Sequence, residues 1–124
     1  KKCIESLAAC THADKTDIFI FLDYPLKDNH WEGFEIIKNF LPHIKGFKTL
    51  NIIERTKNYG AVDNYYKSLE YVFEQYDRLI FTEDDNEFSP NFLDYINKGL
   101  DKFENNPSIY SICGYNFPIE IPNN

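Results

Sequence analysis

The order of apolar patterns along these 124 residues predicts an α/β fold, a mostly parallel sheet with helices on both faces. Two local observations carry that expectation. Stretches with helical spacing alternate strictly with short apolar runs, and the runs are continuous rather than alternating, as in strands covered on both sides. The third observation is bulk: 43% hydrophobic content, with eleven Phe and nine Tyr, suits one packed core and argues against a disordered tail. Residues 1–124 therefore read as a single domain.

Ile4, Leu7 and Ala8 recur at helical spacing, so Lys1 to Ala9 reads as a helix ending near Thr11. From Asp17 to Asp23 the run Ile18-Phe19-Ile20-Phe21-Leu22 reads as a buried parallel strand. Past the turn at Tyr24 and Pro25, Trp31, Phe34, Ile37 and Leu41 mark a second helix, closed by Pro42 and Gly46. Lys48 to Arg55 is the next strand, and the polar turn from Thr56 to Gly60 opens the clearest helix. That helix has the stripe Val62, Tyr65, Tyr66, Leu69, Val72 and Phe73 as its expected core face, with Asp63, Lys67, Glu70 and Glu74 in water. Arg78 to Thr82 reads as a short buried strand. Ser89 and Pro90 suit a helix start, because the Ser oxygen accepts orphan amides and Pro lacks only a dispensable one. The stripe Phe92, Tyr95, Ile96, Leu100 and Phe103 follows, Asn105 to Pro107 stop it, and Ile109 to Cys113 reads as a last strand.

The net charge of -7 and the lack of a basic stripe exclude nucleic acid as a partner. A small anionic ligand then needs local positive charge, from a metal ion or a helix N-terminus. No apolar stretch reaches membrane-spanning length and no signal region opens the chain. Asn106 is blocked as a glycosylation acceptor by Pro107. Cys3, Cys10 and Cys113 read as reduced thiols, Cys113 as a core residue, so the expected compartment is the cytoplasm. With Lys1 first and no Met, something upstream is expected to have been removed.

In open parallel sheets, ligands bind beyond the carboxyl ends of the strands. That edge holds Asp23, the loop from Arg55 to Gly60, the triplet Glu83-Asp84-Asp85, and Gly114 to Asn116. A triplet of acids directly after a buried strand is better placed for a ligand than a solvated charge run needs to be. Hard carboxylate oxygens suit Mg²⁺ or Mn²⁺, which usually keep waters and complete their shell with a ligand's phosphates. Asp23 reads either as a ligand for a base or ribose or as a helix cap. Arg55, Lys57 and Asn58 before Gly60 read either as a phosphate-facing loop or as an ordinary turn. His12, His30 and His43 have no spacing suited to zinc or a triad, and Trp31 reads as a packing residue.

Three features together resemble the nucleotide-binding half of a GT-A type glycosyltransferase, close to the family-two group. They are the strand ending in Asp23, the segment Arg55-Thr-Lys-Asn-Tyr-Gly-Ala-Val-Asp-Asn64, and the passage Phe81-Thr-Glu-Asp-Asp-Asn86. The resemblance implies a Rossmann-like sheet and Asp85 as ligand to Mn²⁺ or Mg²⁺, with Asp84 its neighbour at the metal and the ribose or sugar. It further implies that Asp23, Asn58 and Lys57 border the donor. The implied partners are a nucleotide-sugar and a saccharide or other hydroxyl acceptor. The family's first strand and its acceptor region, with the general base, are expected to lie outside this chain. Two rivals remain: a receiver-like Mg²⁺-binding signalling domain, for which an acidic pair after the first strand and a Lys after the last are lacking, and a nucleotide-binding module without catalysis.

Overall fold

The computed structural model describes residues 1–115, so Asn116 lies outside the described residues. The described chain is α/β: α1 (Lys2–Ala8), β1 (Asp17–Leu22), α2 (Trp31–Phe40), β2 (Thr49–Glu54), α3 (Gly60–Phe73) and α4 (Phe92–Phe103), with short 3-10 turns at Ala13–Lys15, Asp28–His30 and Leu41–His43. β1 and β2 form a two-stranded parallel sheet in which Asp17 faces Thr49 and Leu22 faces Glu54. A parallel pair needs a long crossover, and α2 supplies it. Phe34 anchors that helix by burial, and Trp31 meets the Tyr24 ring edge-on at 5.2 Å. Gly46 closes the crossover at φ 99°, where a Cβ would come within 3.3 Å of the Ala8 side chain.

The direction of α3 is fixed by aromatic pairs. Phe21 meets Tyr71 at 5.6 Å and Phe19 meets Tyr76 at 5.8 Å, and the Tyr76 hydroxyl donates to Asp17 Oδ2 at the start of β1. α3 therefore runs back down β1. The chain then climbs again, because Phe81 reaches Tyr65, in the second turn of α3, at 4.6 Å. Residues 83–85 consequently emerge at the rim where β1 ends and α3 begins. Leu7, Cys10, Ala13 and Leu93 form the core cluster, joined by Ile18, Phe47, Ile80, Phe88 and Phe92.

Several expectations are corrected. Residues 78–82 and 109–113 carry no strand among the described residues. Ile80 packs on the same cluster as Ile18, and Phe81 packs on α3, so the first of these segments is held against the core. No ladder joins it to β1, however. An apolar run reports burial, whereas a ladder also needs a backbone edge about 4.8 Å away. β1 itself is half-buried throughout rather than buried on both faces. Helix α4 starts at Phe92, and the Ser89 hydroxyl donates to Asn91 Oδ1 instead of capping it. On α3, Val62, Tyr66 and Phe73 are more than half exposed, while Ser68 is buried. Val72 of the expected stripe is buried and Tyr65 and Leu69 are partly so, while Arg55 draws Asn64 and Ser68 toward the sheet beside them. Cys113 is exposed.

Candidate functional site at the carboxyl rim

Asp23 sits just past β1 and is saturated. Its Oδ1 accepts from the amides of Tyr24 and Tyr59, both at 2.9 Å, and its Oδ2 accepts from the Gly60 amide at 2.8 Å and Asn58 Nδ2 at 3.2 Å. A carboxylate offers about four lone-pair sites, and all are taken here. α3 has no side-chain cap from its own N-cap residue, Tyr59. The carboxylate of Asp23 fills that role from a distant segment, satisfying orphan amides and meeting the positive end of the helix dipole. The capping alternative thus describes Asp23, and Asn58, which also donates to the Tyr24 carbonyl, is part of the same corner.

The preceding loop residue is committed as well. Arg55 Nε donates to Asn64 Oδ1 at 2.8 Å and Nη2 to Ser68 Oγ at 3.2 Å, with the guanidinium 5.0 Å from the Phe21 ring centroid. This ties β2, β1 and α3 together. Lys57 Nζ lies 5.2 Å from the centroid of the Tyr59 ring, which the Arg55 guanidinium also faces at 5.4 Å.

The acidic loop is held by its backbone. The Glu83 carbonyl accepts from Thr82 Oγ1 at 3.1 Å and Asn86 Nδ2 at 3.4 Å, and Asn86 Nδ2 also reaches Thr82 Oγ1, closing a tight turn. From there the chain is laced to α1 and the residues after it. Cys3 Sγ donates to the Glu83 carbonyl, the Phe88 amide to Ser6 Oγ at 3.0 Å, Cys10 Sγ to the Ser89 carbonyl, and the Thr11 amide to the Pro90 carbonyl at 2.8 Å. Contacts step along both segments in the same direction. Sequence reading missed this role for Cys3, Ser6 and Cys10.

The side chains of Glu83, Asp84 and Asp85 are exposed. Among the described residues, no hydrogen bond or ion pair reaches the carboxylates of Asp84 or Asp85. Their charge is felt nearby: burial first, then the carboxylate of Asp84 and more weakly that of Asp85, push the Cys3 thiol above its ordinary range. Cys3 therefore stays a thiol, able to donate its S–H hydrogen bond to the Glu83 carbonyl.

Among the described residues, no group of three His, Cys, Asp or Glu side chains is placed to hold a metal ion by itself. What the rim offers is two adjacent hard carboxylates open to solvent. That donor set fits an ion such as Mg²⁺ or Mn²⁺ that takes one or two protein carboxylates and fills its shell with water and phosphate oxygens. It does not fit a closed protein cage. Two shallow depressions of about 290 and 300 Å³ lie elsewhere, one beside Arg78 and Phe103 and one beside Tyr95 and Cys113, and neither is lined by these acids. No protein-family model, curated protein or solved structure matches the chain.

Proposed function

We propose that the chain is the nucleotide-sugar-binding part of a GT-A type, family-two-like glycosyltransferase that uses Mn²⁺ or Mg²⁺. One observation carries the reading: the carboxylates of Asp84 and Asp85, which have no partner among the described residues, follow Phe81 past the start of α3, toward the rim that holds Asp23 and Asn58, on a loop whose backbone is fixed to α1. A pair of ionised acids side by side repels, and a shared cation removes that penalty. Asp85 and Asp84 are the ligands, Asp84 also facing the ribose or sugar, and Lys57 and Asn58 border the donor. The bound ion would neutralise charge building on the departing diphosphate as an acceptor hydroxyl attacks the anomeric carbon.

The chain's own contribution is positional. Asp23 holds Asn58 and the start of α3 in place, and α1 holds the acidic turn, so the two walls of a nucleotide cleft are set before ligand arrives. The full Rossmann-like sheet belongs to the same proposal. It calls for one more extended segment between β1 and residues 78–82, whose Ile18 and Ile80 already meet on one cluster. Among the described residues no helix is long and apolar enough to cross a membrane, and a cytoplasmic setting for the donor reaction is part of the proposal.

Calorimetry with UDP-sugars and GDP-sugars, with and without Mn²⁺, tests it. Metal-dependent binding that is lost in Asp85→Ala is the expected result. Donor binding of equal strength in excess chelator, or unchanged by Asp85→Ala, would remove the metal from the proposal. Labelling of an Asp by acetyl phosphate would favour a receiver-like domain instead.

A further inference from the structure

We infer that the outer flank of α3 is a docking surface for a basic amphipathic helix of another protein. Val62, Tyr66 and Phe73 are each more than half exposed, and Leu69 is partly exposed. Their steps of four, three and four residues place all four within about 60° of one another around the helix. That spacing is the seam of a coiled coil, which a partner helix fills with apolar residues at matching positions. The apolar strip extends past the helix itself. The Tyr65 ring stands 5.1 Å from that of Tyr66 and 4.6 Å from that of Phe81, and Phe81 is itself nearly half exposed. A strip continuous over two segments is not the pattern of apolar residues scattered singly over a surface.

Charge decides what kind of helix fits. Asp63, Glu70 and Glu74 lie about 80° to 120° from Val62, so they line one edge of the seam. Among the described residues none of these three joins an ion pair, whereas Asp17, Glu54, Asp94 and Asp101 each do. Lys67, the one basic residue of α3, stands about 140° from Val62 and so beyond that edge. Its Nζ lies 5.4 Å from the Tyr59 ring centroid.

The acids also sit where they cost the helix stability. Glu70 and Glu74 are four residues apart, a like-charged spacing that weakens a helix, and they stand at the end where its dipole favours cations. No basic residue offsets them in the last turn. Lys or Arg along one side of a partner helix relieves both penalties while its apolar side covers Tyr66 and Phe73. A second copy of α3 brings the same acids. Packed antiparallel, it sets Asp63 against the other copy's Glu70, and packed parallel it offers neither acid a cation. The opposite side of α3 is already occupied, since Tyr71 meets Phe21 and Asn64 donates to the Phe21 carbonyl.

The test is fluorescence anisotropy of synthetic helical peptides with the whole chain. One peptide carries Leu along its seam and Lys on both flanks, a second Leu with Glu, and a third Ser with Lys. The Leu-Lys peptide should bind, shift NMR amide signals of residues 62–74, and exceed the other two at least tenfold in affinity. Tyr66→Ser/Phe73→Ser should weaken it at least tenfold, and Glu70→Lys/Glu74→Lys should transfer the preference to the Leu-Glu peptide. The charge variant leaves the seam intact, so it decides the matter even if circular dichroism shows the seam variant unfolded. Equal binding of the Ser-Lys peptide, signals shifting mainly at residues 83–85, or no binding at all overturns the inference. So does a dimer of the free chain, seen by sedimentation and lost in Tyr66→Ser/Phe73→Ser, which would give the strip to a second copy. None of these variants touches Asp84 or Asp85, so failure here is distinct from failure of the metal-dependent reading.

Discussion

Asp23 and Asp85 carry the same charge at the same rim, yet their surroundings are opposite. Asp23 receives four donors, three of them backbone amides, and is spent on holding α3 and the Asn58 loop. Asp85 and its neighbour Asp84 are exposed and receive none among the described residues, while the backbone on either side of them is tied to α1 and to Asn86. Where the protein has satisfied a carboxylate, the carboxylate builds structure. Where it has fixed the backbone and left the oxygens open, a ligand has room to act.

Removing each acid sharpens that contrast. Asp23→Ala strands several donors at a half-buried corner, so a loss of about 3 kcal/mol is expected in urea unfolding. A loss under 0.5 kcal/mol would mean that water replaces the carboxylate and that Asp23 is not a structural residue. Ser6→Ala removes the acceptor of the Phe88 amide and should cost about 1 kcal/mol. It should also raise hydrogen exchange at residues 83–88 more than at residues 58–60. Equal exchange in both regions would show that α1 does not hold the acidic turn. Asp85→Ala should leave stability within about 0.5 kcal/mol, or raise it slightly by relieving repulsion. Strong destabilisation would place that carboxylate in the fold rather than in a site.

A third acid gives a comparison in pH. Hydrogen bonds from Thr49 and Lys48, then from Tyr76, hold the Asp17 carboxyl below its usual range. Its folded value is depressed, so the stability it contributes is present above the ordinary Asp range near pH 4 and is lost as pH falls through the lower folded value. Wild type and Asp17→Asn should therefore differ in unfolding midpoint at neutral pH and converge in strong acid. A constant difference across that range would show that these contacts do not discriminate the ionised form. Asp17 is a surface clamp, and the shift is expected to be the smallest of the set.

The helices and the paired strands were legible because each combines a clear period with clear breakers, as at Pro42 and Gly46 around the end of α2. Residues 78–82 and 109–113 have the same apolar character, but a strand depends on a partner edge that periodicity does not encode. The orientation of α3 was hidden for another reason. Asn64 and Ser68 look like solvent-facing residues until Arg55 is known to reach them. At the rim, the acidic triplet and Asp23 were both visible as carboxylates after apolar runs, and composition could not tell which had protein donors. The lacing of Cys3, Ser6 and Cys10 to residues 83–89 joins positions about 80 residues apart, which no local pattern reveals.

Paramagnetic broadening is the most direct probe of the difference between the two acidic corners. With a nucleoside diphosphate present, substoichiometric Mn²⁺ is added and amide signals are followed by NMR. Signals of residues 83–86 should vanish first, those of residues 58–60 should fade later, and Asp85→Ala should abolish the selectivity. Uniform fading across exposed acids, or loss centred away from residues 83–86, would contradict a metal held by Asp84 and Asp85.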